Sequence, residues 1–309
     1  MSPTYTSRFR TAVAGAAVLA FALSPVASAK TASNHIKHHR QAQVTHVANR
    51  TVNSRSSTTF SGMSTGLVWN GDLSTANLSQ YGSVQACKGP SPTAGVTLVN
   101  SPVHPGYSFS SAFNVSDQSI TANCPQLGSS GHPNANIQSP GIFYPGDNYY
   151  VGFSTLFPST FPSNICTPYV SGCWMQIMEI YGAPYGGSSP VAFDVWGNKL
   201  ELWTHYGTIW TAPTNIVKGA WQDLVVHVNF STNPSVGYVE LWWNGHPQVF
   251  NNGSTRYYEA TLQVGVNTNG TSPDRLYLDQ YRGANPARST VTLYHSAAKV
   301  GTTYASAAP

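Results

Sequence analysis

The feature that most constrains this chain is a two-residue hydrophobic period. From Trp221 to Phe230, Leu224, Val226, Val228 and Phe230 face one way, and Asp223, Val225, His227 and Asn229 the other. That alternation fits a strand with one face on a core. Similar short runs recur at Tyr149–Phe157, Trp174–Tyr181, Val191–Trp196, Leu200–Thr204, Gly237–Trp243, Leu262–Val266, Arg275–Tyr281 and Thr290–His295. Turn residues separate them. Gly197-Asn198 and Asn244-Gly245 suit two-residue hairpin turns, and Pro158 and Pro184 close two of the runs. From residue 60 onward the pattern supports no helix of three turns. Many short strands without a βαβ rhythm predict an all-β sandwich or barrel. The roughly 250 residues from Phe60 onward exceed an immunoglobulin-like unit, and no internal repeat supports a propeller. A jelly-roll sandwich of two antiparallel sheets is therefore expected. Such a fold bends one sheet into a concave groove where a linear polysaccharide can lie.

The first 59 residues read differently. Arg8 and Arg10 precede an apolar run, Ala12–Leu23, and Ala27-Ser28-Ala29 follows Pro25. This is the layout of a secretory signal peptide over residues 1–29, too short to span a bilayer comfortably. Residues 30–59 are His-rich and basic with almost no periodic apolar content, which predicts a disordered linker. Its His35, His38 and His39 are read as part of a solvated tail rather than a metal site. Residues 60–309 then form a single domain. A secreted, extracellular protein is expected, free of the membrane once the signal is cleaved.

This division changes what the charge means. The chain has 15 Lys/Arg and 11 Asp/Glu, a net of +4. Seven of the Lys/Arg and none of the acids lie in residues 1–59, which leaves eight against eleven, a net of −3, for the domain. The domain has no basic footprint for nucleic acid, and a monomer is expected. Cys87, Cys124, Cys166 and Cys173 are even in number, so on a secretory route disulfides are favoured over zinc. Of the three possible pairings, Cys87–Cys124 and Cys166–Cys173 are preferred, because the second closes a short loop containing Pro168 and Gly172.

The polar groups available within strands are Gln176, Glu179, Asp194, Glu201, His205, Asp223, His227, Glu240, Asp279, Tyr281 and Arg282. No Gly-rich phosphate loop or H-E-x-x-H occurs. No cofactor is expected, and no dense acidic loop supports structural calcium. Two carbohydrate chemistries fit a grooved sheet. Hydrolysis needs two carboxylates flanking the bond. β-Elimination of a uronic acid polymer needs a group that neutralises the sugar carboxylate, and an acid/base for the proton transfers.

Several motifs in order carry a resemblance. Tyr149–Pro158, continuing to Phe161-Pro162, resembles a strand of heparin lyase-like polysaccharide lyases. So do Trp174-Met175-Gln176, Tyr181-Gly182-Ala183-Pro184, Gly219-Ala220-Trp221-Gln222-Asp223, Trp69-Asn70-Gly71-Asp72 and the late strand Tyr277–Arg282. The resemblance spans about residues 67–295 and implies a concanavalin-like jelly roll with elimination chemistry on a polysaccharide. By that analogy Gln176 binds the substrate carboxylate and Tyr281 is the acid/base; His205, beyond Leu200–Thr204 and in phase with Glu201 and Trp203, is a candidate to join Gln176 there. Glu179 is a further candidate for catalysis. Arg282, Trp203 and Asn136 are candidate substrate ligands. The chain also departs from the family pattern. Asn134-Ala135-Asn136 stands where relatives carry Arg-x-Glu, Met178 where uronate lyases carry His, and Tyr277 and Asp279 where the late strand carries Lys and Gly. These changes remove cationic partners for an anionic substrate. A non-catalytic carbohydrate-binding jelly roll and a glucanase-like hydrolase using Glu179 with another carboxylate stay open as alternatives.

Overall fold

The structure, a computed structural model, describes residues 66–86, 95–115, 134–165, 174–182, 189–205, 207–259, 262, 264, 273–282 and 291–309. The four cysteines and the segment boundaries expected near residues 29 and 59 lie outside them. The described residues form strands β1 (Leu67–Gly71), β2 (Ser83–Ala86), β3 (Gly95–Val99), β4 (Ser110–Val115), β5 (Asn134–Gln138), β6 (Asn148–Leu156), β7 (Met175–Tyr181) and β8 (Val191–Trp196). They continue with β9 (Lys199–Thr204), β10 (Gly207–Thr211), β11 (Trp221–Asn229), β12 (Tyr238–Trp243), β13 (His246–Pro247), β14 (Tyr257–Tyr258), β15 (Arg275–Arg282) and β16 (Val291–Gly301). A four-residue helix, α1 (Tyr304–Ala307), follows.

The strands build two antiparallel sheets. One has nine strands, ordered β13-β12-β11-β6-β16-β4-β3, with β1 also pairing β16 and β14 pairing β12. The other has seven, ordered β10-β9-β8-β7-β15-β5-β2. The expected all-β jelly-roll sandwich is the observed fold. Alternation places the core. Leu224, Val226 and Val228 of β11 are fully buried, and Leu224 and Val226 stand opposite Phe153 and Val151 of β6. From the other sheet Phe193 of β8 meets Phe153 edge-on at 5.7 Å. Each such side chain contributes about 1.5–3 kcal/mol on burial.

Eight runs read from the sequence correspond closely to β6, β7, β8, β9, β11, β12, β15 and β16. The ninth, Leu262–Val266, is described only at Leu262 and Val264, which are buried and outside any strand. The two hairpin turns form as their residues dictate. Asn244 and Gly245 both take positive φ (49° and 78°), as a type I′ turn requires, and Gly197 turns β8 into β9 with φ 65°.

The outward face of the nine-stranded sheet is partly covered by the chain's end. Thr303 caps α1, its Oγ1 accepting from the Ser306 N–H at 3.2 Å. The segment then passes so close to β6 that a Cβ on Gly152 would meet the Ala307 carbonyl oxygen at 1.9 Å. This cover explains why Val225, on the outward side of β11, is only 2% exposed.

Candidate active site

The outward face of the seven-stranded sheet carries a row of polar side chains across its centre. Register pairs Glu201 of β9 with Asp194 of β8, Asp194 with Gln176 of β7, Gln176 with Tyr281 of β15, and Tyr281 with Asn134 of β5. Directly paired residues share a face, so these five line up over four strand gaps, about 19 Å. A second row runs beside it through Trp203, Ala192, Glu179, Tyr277 and Gln138. Between the rows Asp279 stands opposite Asn136.

A bulge makes this arrangement possible. Strict alternation would put Gln176 and Glu179 on opposite faces of β7. The register with β8 slips between Gln176 and Met178, so Ile177 and Met178 both enter the core while Gln176 and Glu179 share the outward face.

On β5, three amides form a ladder. Arg275 Nη1 donates to Gln138 Oε1 at 3.2 Å, Gln138 Nε2 to Asn136 Oδ1 at 3.0 Å, and Asn136 Nδ2 to Asn134 Oδ1 at 3.3 Å. Asn136 is 2% exposed and engages both ends of its side chain within the ladder. It supports the face beneath Asp279 and Tyr281.

The carboxyl groups on this face are poorly solvated. Ser189 Oγ donates to Glu179 Oε2. Burial nevertheless raises the Glu179 pKa, against the effects of Ser189 and the nearby Gln176 amide. The amide favours ionised Glu179 from close by, yet Gln176 Nε2 lies outside hydrogen-bond geometry with any group. Burial is also the main cause that lifts Asp194 to about 7, against the nearby Trp203 indole N–H, with the negative charges of Glu179 and Glu201 adding to it. Asp279 is raised well above its ordinary value by burial, and then by Glu179 and Asp194. Asp194 Oδ1 and Asp279 Oδ1 have no hydrogen-bond partner. Tyr277, next to Glu179, is pushed up to about 12, chiefly by burial. Trp174 packs edge-on against Tyr281 at 4.8 Å.

Gln176, Glu179, Trp203 and Tyr281 therefore share one face. Two expectations are corrected. Arg282 follows Tyr281 on a regularly alternating strand, pairs with core-facing Met175 and is 2% exposed, so it lies on the core side. His205 is exposed just past the end of β9, four residues beyond Glu201. It is about 13 Å along the strands and about 10 Å across them from Gln176, too far to join it at one sugar carboxylate. Tyr277, Gln138 and Ser189 escape a reading by motif. The signal for Tyr277 is its spacing of four from Tyr281, which alternation puts on the same face.

Among the described residues no group of three or more His, Cys, Asp or Glu side chains is arranged to hold a metal ion. No serine-based triad forms among the described residues either. Ser154 Oγ donates to Asp223 Oδ1 at 2.6 Å and His104 Nε2 lies 3.0 Å from the same oxygen, so the acid sits between the other two. That cluster belongs to the other sheet.

The solved structure of an endo-β-1,4-glucuronan lyase from the fungus Trichoderma reesei aligns at a TM-score of 0.57 and 15% identity, over 79% of this chain and 98% of that one. The catalytic domain of a glycoside hydrolase family 131 protein from Coprinopsis cinerea aligns at 0.50 and 16% identity, over 76% and 93%. At these identities the two share the fold. No curated protein sequence matches. A family model described as polysaccharide lyase matches residues 73–282, more than half of the chain and the span that holds both polar rows. The chain belongs to the polysaccharide lyase family.

Proposed function

We propose that this protein is a secreted lyase that cleaves a uronate-containing polysaccharide by β-elimination. One observation carries the reading: Tyr281 stands in register between Gln176 and Asn134 on the outward face. An amide on either side of a phenol suits the reaction. Hydrogen bonding to the sugar carboxylate makes the C5 proton acidic. The Tyr281 oxygen, as phenolate, takes that proton. The C4–C5 double bond forms as the C4–O bond breaks, and the phenol proton passes to the departing oxygen. Trp203 and Tyr277 in the second row, and Trp174 beside Tyr281, serve as stacking surfaces for sugar rings. The signal-like leader supports export of the product.

Incubation with a panel of polyuronates tests this reading through the ultraviolet absorbance of the unsaturated uronate end. Rising absorbance that Tyr281→Phe removes is the expected result. A second reading, glycoside hydrolysis, is favoured by the nearness of Glu179 and Asp194 on adjacent strands. It predicts new reducing ends without that absorbance.

A further inference from the structure

The rows leave an anionic substrate with a problem. The cationic side chains that alternation places on this face, among the described residues, are Lys199 on β9, His205 just past its end and Arg275 on β15. Lys199 lies at the β8–β9 turn, His205 beyond the far end of β9, and Arg275 is engaged with Gln138. The centre holds Glu179, Asp194 and Asp279 instead. If all three were ionised they would repel a uronate from the spot where its carboxylate must be bound. Gln176, 5% exposed and level with both Asp194 and Tyr281, has an amide nitrogen with no partner, and Asp194 Oδ1 is equally unengaged. Unsatisfied buried donors and acceptors are uncommon in native proteins, and together these atoms point to a ligand.

Building on the elimination reading, we infer that Asp194 and Glu179 act as neutral carboxylic acids that donate hydrogen bonds, beside the Gln176 amide, to the substrate's carboxylate. Asp279, 1% exposed and between the rows, adds no countercharge: burial, then Glu179 and Asp194, raise its own pKa well above the ordinary value. A buried acid held neutral is a hydrogen-bond donor, and in a poorly solvated site it binds an anion without needing a countercharge. The groups facing Asp194 agree with this. Gln176 and Glu179 on β7, Glu201 and Trp203 on β9, and Asp279 on β15 include no cation; the nearby Trp203 indole N–H favours the ionised form, and burial with the charges of Glu179 and Glu201 outweighs it. The site would thus select polyuronates while lacking the Arg, His and Lys of the family pattern, and would do so best below neutral pH.

Binding separates this inference from the reading it rests on. A β-linked oligoglucuronate and its neutral oligoglucoside counterpart are titrated calorimetrically into the Tyr281→Phe protein, which cannot turn the ligand over. Oligoglucuronate affinity should fall roughly tenfold or more between about pH 6 and about pH 8.5, as the acids ionise. Asp194→Asn, which donates at every pH, should raise affinity at least about fivefold at the alkaline end, and Glu179→Gln should act in the same direction. Asp194→Leu should weaken binding throughout the range. Affinity that is flat with pH, or amide variants that bind as poorly as Asp194→Leu, would overturn the neutral-acid inference while elimination by the wild type still stood. Binding of the oligoglucoside alone would overturn both.

Discussion

The outward faces of the two sheets use similar residues to opposite ends. On the nine-stranded sheet His227 is stacked on Tyr150 at 3.8 Å, and its Nδ1 lies 2.6 Å from Glu240 Oε2. Arg256 closes on the other oxygen of Glu240 at 2.8 Å and lies over the Tyr238 ring at 4.1 Å. Asp223 is held between His104 and Ser154, and these partners keep its pKa low despite burial. None of the described buried side-chain atoms without a hydrogen bond lies on this face. On the seven-stranded sheet Gln176, Asp194 and Asp279 each leave one such atom open, and the acids crowd together without a central cation. A face whose polar groups satisfy one another is built for stability. A face that withholds partners keeps them for a ligand.

The comparison is tested most severely by removing one hydroxyl from each face. Tyr281→Phe should lower the elimination rate about 10²–10⁴-fold with little change in melting temperature. Tyr238→Phe on the other face should leave the rate alone. A comparable rate loss in both would end the distinction.

Next comes pH. His295, sealed in the core beside Phe113, has its pKa lowered to about 4 by burial. Its folded form resists the proton, so stability present above pH 6.5 is lost as pH falls through 4, by about 3 kcal/mol. Asp194 slopes the other way. Its pKa is raised from 3.8 to about 7, so stability present at low pH is lost as pH rises through that value. Chemical denaturation across the pH range should show both slopes. His295→Phe should flatten the acid one and Asp194→Asn the alkaline one.

A smaller effect is expected at Glu240. Glu240→Gln leaves Arg256 and His227 without their anion and should cost about 1–3 kcal/mol with unchanged turnover. Smallest in stability is Gln176→Leu, which removes a buried donor that already lacks a partner. It should change unfolding free energy by less than about 1 kcal/mol yet lower kcat/KM at least about tenfold. A large loss of stability there would mean that Gln176 serves the fold.

Legibility from the sequence followed the physics of each element. β11 and β12 could be read because one face is core and the other polar, and hairpin residues such as Asn244-Gly245 mark their ends. β5, Asn-Ala-Asn-Ile-Gln, was missed because its polar face is itself buried, so every residue is covered and composition suggests a loop. The site was half legible. Tyr281 and Gln176 could be named by resemblance. The bulge at Ile177 carries no local sequence mark, yet it alone brings Glu179 onto the face of Gln176. His205 shows the converse limit: it is in phase with Glu201 and Trp203, but phase says nothing about how many strands intervene.

The pairing of β1 with β16 has a consequence for the order of events during synthesis. Leu67 and Gly301 are register partners, and β16 also sits between β6 and β4 in the middle of the nine-stranded sheet. A nascent chain has made nearly every other strand before the one that joins β6 to β4 leaves the ribosome. Until then the sheet exists as two unjoined parts with open edges, a state prone to wrong pairing. Folding should therefore be slow, as expected of a topology dominated by distant contacts. Variants that weaken β16 should lower the yield of folded protein more than its final stability.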